Sequence, residues 1–379
     1  MGLLEVLFGG RPGARELEVR QGQLLIVVAR WLLVLAGLLV ALWEPDALPR
    51  LRVEIGVLLL VATGNFVMHA QLLRRRPTIE SVAMALSAGD LVVITLLVAN
   101  TGGAASNVFV FYFPAVLAIS LAFPTAQTVA LSALAVGLAC GLGGVGATAP
   151  DVLLVRGLML AGVAVVGNAS WRLHRTRIQP SVLAAREAAQ DLFWGQAACL
   201  WARWCLIAAG AVLVLVRSDS TDLLAAGIGP VVLLLVVNFY LHGRYLLERP
   251  ANRQLTLLAG GLDLVLVMAL ALGWPGLPGL ESPLIVLLYP LVLAISLVFA
   301  PRVAWSYGGI AVLGYATFVL AGGVHETGDL KTLVVRCITL AAMAGLGSLY
   351  WRSVRREARL AAHSSEASGA LAWQAAGAR

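Results

Sequence analysis

The chain has 379 residues, 60% of them hydrophobic and only 12% charged, where a soluble domain carries about twice that charge. With a mean hydropathy of +0.89, this composition excludes an ordinary soluble protein and places nearly all of the mass in a bilayer. The net charge of +7 is almost all arginine, Lys331 being the sole lysine, and no run interleaves basic with aromatic residues; a nucleic-acid partner is therefore not expected.

Residues 1–23 read as a cytoplasmic N-terminal segment. It is not a signal peptide, because its apolar part precedes its charges and no small-residue cleavage site follows. Six apolar runs come next, at roughly 24–43, 55–73, 81–99, 107–123, 125–146 and 152–171. Most are near the ~20 residues a helix needs to cross hydrocarbon. Residues 179–196, opened by Pro180-Ser181, read as a cytoplasmic linker with a short surface helix. Six more runs follow at roughly 197–216, 222–242, 254–273, 283–299, 302–322 and 330–350, and residues 357–379 form an Ala/Ser/Gly-rich cytoplasmic tail. The runs are continuous, without the alternation of strands, and lipid excludes open sheet edges. The expected fold is all-α, with twelve transmembrane helices.

The two sets of six repeat one another. A shift of 173 residues carries Arg30-Trp31 onto Arg203-Trp204, Asn65 onto Asn238, His69 onto His242 and Asp90 onto Asp263. After a Gly-rich bend the shift becomes 176, bringing Ser106 and Pro114 onto Ser282 and Pro290; by the last helix it is 180, bringing Arg156 onto Arg336. The shift changes only between helices, where insertions are tolerated. Repeats are therefore expected at 24–178 and 197–356. Arginines crowd one set of helix ends (Arg74 to Arg76, Arg172, Arg244, Arg352 and their neighbours), whereas the opposite ends hold Arg50, Arg52, Arg217 and Lys331. The positive-inside rule then makes both termini cytoplasmic in a cell inner membrane. An even helix count makes the repeats parallel.

Ionisable groups inside a membrane are costly. Arg30 and Arg203 each precede an apolar run too short to span alone, so both lie within the span. Asp90 and Asp263 fall near mid-depth in the third helix of each repeat, and Asn65 and Asn238 in the second, with His69 and His242 one turn on along the same face. A polar cluster of Arg30, Asn65, His69 and Asp90, repeated as Arg203, Asn238, His242 and Asp263, is the first candidate site. It serves either to tie helices together or to take a ligand. Thr101, Gly102, Gly103 and Ser106, with Tyr112 and Phe113, and Ser282 with Tyr289, outline a second candidate, a pocket near the external surface able to admit a lipophilic ring. Arg156 and Arg336, about a turn inside the external end of the sixth helix, are candidates for snorkelling or for binding an anionic lipid headgroup. The four cysteines form no CxxC pair and read as small buried residues. No Walker, HExxH, GxSxG or metal-ligand motif is present, so neither a metal nor a catalytic activity is expected.

On these residues each half resembles the six-helix N-terminal membrane sensor region of bacterial sensor histidine kinases. Arg-Trp opens the first helix, a mid-helix Asn lies in the second, and an Asp in the third leads through a Thr-Gly-Gly…Ser-Pro bend to an aromatic/Tyr-Pro helix. The first half has Asn107 where that class has Pro; the second keeps Ser282-Pro283 but bends through Gly-Trp-Pro-Gly-Leu-Pro-Gly. Neither a phosphoacceptor helix nor an ATP-binding domain is readable in these residues, so transmitter activity does not carry over. The resemblance implies a module that senses a lipophilic molecule, with quinone suggested as cofactor, or the membrane state. It would act through a kinase core, a response protein or a membrane complex. A twelve-helix transporter is the alternative, although the loops between second and third helices lack the Gly-x-x-x-Asp-x-x-Gly-Arg pattern of major-facilitator carriers. The other alternative is a structural subunit of a respiratory or photosynthetic complex, binding pigment or quinone through His69 and His242.

Overall fold

In this computed structural model the described residues are 12–43, 48–74, 78–103, 106–144, 149–176, 184–218, 220–246, 252–273, 280, 283–321 and 329–352. They are almost entirely helical. In chain order the α-helices are α1 Pro12–Trp43, α2 Leu48–Leu73, α3 Glu80–Asn100, α4 Tyr112–Ala122, α5 Thr125–Gly141 and α6 Pro150–Thr176. There follow α7 Ala184–Arg217, α8 Thr221–Leu246, α9 Arg253–Gly273, α10 Leu288–Val298, α11 Pro301–Ala321 and α12 Asp329–Arg352. A 3₁₀ segment leads into α4 (Asn107–Phe111) and into α10 (Pro283–Leu287). Eight of the helices are long and apolar enough to cross a membrane, and the other four are shorter apolar helices. These are the helices of an integral membrane protein.

The first apolar run, expected at 24–43, matches a candidate span at Gly22–Trp43, and the helix that carries it begins further out, at Pro12, since Pro suits a first helical turn. Of the linker expected at 179–196, residues 179–183 lie outside the described residues; the rest belongs to α7, which runs from Ala184 to Arg217 through an Ala-rich stretch of high helix propensity.

The chain divides into two compact units, residues 1–164 with 325–342 and residues 165–324 with 343–379. In the first, α1 packs on α2 and α4; in the second, α7 packs on α8 and α10. α4 and α10 are the buried centres of their units. Nine of the eleven residues of α4 are buried, Tyr112 and Phe113 completely. Pro114 and Pro290 fall in the first turn of α4 and α10, where the missing N–H costs no intrahelical bond. Small residues let backbones meet. A Cβ on Gly22 of α1 would lie 2.9 Å from the Cα and O of Ala122, the close approach that membrane helices use in place of a hydrophobic driving force.

Candidate functional site

In the first unit the acid of α3 meets the base of α1. Arg30 grips Asp90 with a fork: Nε donates to Oδ2 at 2.7 Å and Nη2 to Oδ1 at 2.7 Å. The guanidinium is further held by Met68 Sδ (3.2 Å from Nη1) and the Leu86 carbonyl (3.4 Å from Nη2). Both charged side chains are buried, at 5% and 9% exposure. Such bidentate geometry is the form in which a buried pair offsets most of its desolvation.

Asn65 and His69 lie beside this pair and bond elsewhere. Asn65 Nδ2 donates to the Val27 carbonyl of α1 at 3.0 Å. His69 Nδ1 accepts the indole N–H of Trp31 at 3.4 Å. Helix α2 is thus stitched to α1 by three side chains at i, i+3 and i+4 (Asn65, Met68, His69), one face of one helix. Met68 was not singled out from the sequence, although that spacing marks it. Gln23 was missed as well: it bonds both ways with the backbone of Thr78, Nε2 to O at 2.6 Å and Oε1 from N at 3.0 Å.

Two of these contacts have counterparts in the second unit. Arg203 Nε donates to Asp263 Oδ2 at 2.5 Å, and Trp204 Nε1 to His242 Nδ1 at 3.2 Å. Here, however, Arg203 Nη1, Asp263 Oδ1 and both amide atoms of Asn238 have no hydrogen-bond partner, although Arg203, Asp263 and Asn238 are 4%, 1% and 0% exposed. In both units a tryptophan of the first helix donates its indole N–H to the histidine Nδ1.

The bend after α3 is closed upon itself. Gly102 and Gly103 take φ of 110° and 65°, a region open to glycine at little cost. Thr101 Oγ1 bonds Ser106 Oγ at 2.5 Å, and Ser106 Oγ in turn accepts from the Val108 amide at 3.1 Å, capping the 3₁₀ turn. Tyr112 Oη meets Thr95 Oγ1 at 2.6 Å. Phe109 stacks near Tyr112 and Phe113, with ring centroids 5.3 and 6.4 Å away. The Arg156 guanidinium lies 4.5 Å from the Phe109 ring centroid, within cation–π range. Asn107 donates to Thr332 Oγ1 of α12. Tyr289 is completely buried in the second unit, and Arg336 is 8% exposed. Ser282 lies outside the described residues. Tyr112→Phe is expected to cost about 1 kcal/mol, one hydrogen bond, because Thr95 keeps its bond to the Leu91 carbonyl; a small fall in unfolding temperature measures it.

Space lies against the charged pairs. One cavity of about 30 Å³ is lined by Arg30, Asp90 and Ser87 on its polar side and by Ala29, Leu33, Phe111, Pro114, Ala118 and Ile338 among others. A second, of about 20 Å³, is lined by Arg203, Asp263, Cys199, Thr256 and Gly260 together with apolar residues of α7, α8 and α10. Each exceeds the ~10–15 Å³ that one water requires. The arrangement is an apolar crevice with a charged floor, in each unit. No family model, curated protein or solved structure matches the chain.

Proposed function

We propose that the chain crosses the cell inner membrane twelve times as two parallel six-helix repeats, both termini cytoplasmic, and that each repeat is a sensor-like module without catalytic machinery. The module takes up a lipid-soluble ligand of quinone type and passes the change to a protein partner such as a kinase core or response protein. The carrying observation is the recurrence of one constellation: an Arg of the first helix on an Asp of the third, 60 residues apart in both units, each beside a cavity. An intramembrane charge pair facing a crevice is the usual mark of a ligand or ion site. The sequence resemblance to sensor membrane regions supports the same reading. The cavities are small, about 30 and 20 Å³, so a ring-sized ligand requires the site to widen.

Full chain purified with native lipid is expected to release a redox-active quinone on solvent extraction, and added decylubiquinone to raise its unfolding temperature. An extract without quinone, together with an unmoved unfolding temperature, overturns the ligand assignment. A transporter is the second reading, since a buried charged pair beside a crevice also suits a solute path, although near-duplicate clusters speak against halves specialised for transport. Solute flux in proteoliposomes that Asp90→Asn abolishes while the protein stays folded would establish it in place of sensing.

A further inference from the structure

The two repeats differ at the side chain that opens the 3₁₀ segment of each: Asn107 in the first, Pro283 in the second. The Asn107 amide donates to Thr332 Oγ1 near the start of α12. The copy cannot make this bond, because Pro283 stands for Asn107 at the 176-residue shift and Val152 for Thr332 at the 180-residue shift, and neither side chain has a polar group. Two turns along α12, Thr339 falls on the same helix face as Thr332. There Ile338, Thr339 and Ala342, at i, i+1 and i+4, line the first cavity together with Arg30 and Asp90. Residues 325–342 accordingly belong to the first compact unit, although in sequence they stand in the second repeat. The described lining of the second cavity comes from α7 to α10.

We infer that α12, the last helix of the second repeat, is a wall of the ligand site of the first, fastened there by the Asn107–Thr332 bond, and that Thr339 and Ala342 set the bulk of the ligand that site accepts. The inference rests on the ligand reading above and deepens it. Thr339 and Ala342 are 1% and 7% exposed and share the cavity with Ala115 and Ala118 of α4, so small side chains from two helices define the space. The Thr339 hydroxyl donates to the Val335 carbonyl of its own helix at 2.9 Å; its proton is already placed, and size is what it contributes. At the 180-residue shift α6 carries Met159 in its place, a longer side chain that would fill a cavity of about 30 Å³. The site is thus composite, with acid and base from the first repeat and a wall from the second. Its lining, apolar but for the charged pair, Ser87 and Thr339, suits a lipid-soluble ring with one polar edge.

The test is photolabelling of full chain in lipid nanodiscs with an azido derivative of decylubiquinone, followed by peptide mapping. Label is expected on α1 or α4 and also on residues 338–342 of α12, and excess decylubiquinone should displace it. Thr339→Met is expected to weaken decylubiquinone binding by about tenfold or more through overpacking. Thr332→Val, which removes only the fastening bond, is expected to reduce the α12 label severalfold. Should Thr339→Met fail to fold, the wild-type map and Thr332→Val decide. Label on α1 and α4 with none on α12, or on residues 158–162 of α6 in its place, overturns the composite wall and leaves the ligand reading standing. No displaceable label in either unit, with an unmoved unfolding temperature, overturns the ligand reading and this inference with it. A folded Thr339→Met chain that binds as tightly as wild type overturns the assignment of selectivity to α12, and an α12 label undiminished in Thr332→Val overturns the fastening role of Asn107.

Discussion

Asp90→Asn is expected to destabilise the full chain by about 3–5 kcal/mol, the cost of stranding one charge of a buried pair. Arg30 would remain 5% exposed with the Met68 sulfur and the Leu86 carbonyl, 3.2 and 3.4 Å away, as its partners. Neither carries a charge. The effect should appear as a fall in unfolding temperature or in the denaturant midpoint in lipid micelles. Arg30→Leu combined with Asp90→Leu should recover most of the loss, because an apolar pair of similar volume removes both desolvation penalties. A double variant whose cost equals the sum of the singles would mean that the two groups are not coupled. Asp263→Asn should cost less than Asp90→Asn, since Arg203 holds its acid through Nε alone and the other carboxylate oxygen, Oδ1, has no protein partner to lose.

The second large effect concerns packing. A Cβ on Gly347 of α12 would stand 1.9 Å from Ser296 Oγ and 2.7 Å from Ser296 Cβ in α10, with the Ser296 carbonyl carbon at 3.3 Å. Gly347→Ala is therefore expected to destabilise by about 1–3 kcal/mol or more through overpacking. Helix propensity alone predicts the opposite sign, a gain of about 1 kcal/mol, so the direction decides which effect governs. Removing the obstacle in Ser296→Gly/Gly347→Ala should return much of the loss. Equal stability of Gly347→Ala and the parent would show that α10 and α12 are not in that contact.

Helix existence was easy to read because each run is long, apolar and free of alternation. All twelve runs correspond to helices, and Asp90 and Arg30 were placed at one level by counting rises of ~1.5 Å. Helix ends were harder. α1 and α7 extend N-terminal to their apolar runs, because helix propensity continues through polar residues that hydropathy leaves out. The placement of the pocket residues shows what linear reading lacks. Thr101, Ser106, Tyr112 and Phe113 looked like the lining of an opening, yet Tyr112 and Phe113 are completely buried and the two hydroxyls bond each other. Their polar atoms serve local turn closure, a competition that spacing does not reveal. The first cavity forms where Ala29, Ala115 and Ala118 leave volume next to a charge. That is a property of three helices together. Asn65 is expected from the sequence to support the ion pair, and its amide donates to the Val27 carbonyl of α1.

The two-repeat, twelve-span arrangement is tested most directly by topology. Single cysteines replacing Arg74, Thr101, Asn252 and Leu280 in a cysteine-free full chain would be labelled with a membrane-impermeant maleimide in oriented vesicles. Positions 74 and 252 are expected to label from the cytoplasmic side and positions 101 and 280 from the opposite side. Labelling of 74 and 252 from opposite sides would contradict parallel repeats, and with them the equivalence of the Arg30–Asp90 and Arg203–Asp263 pairs.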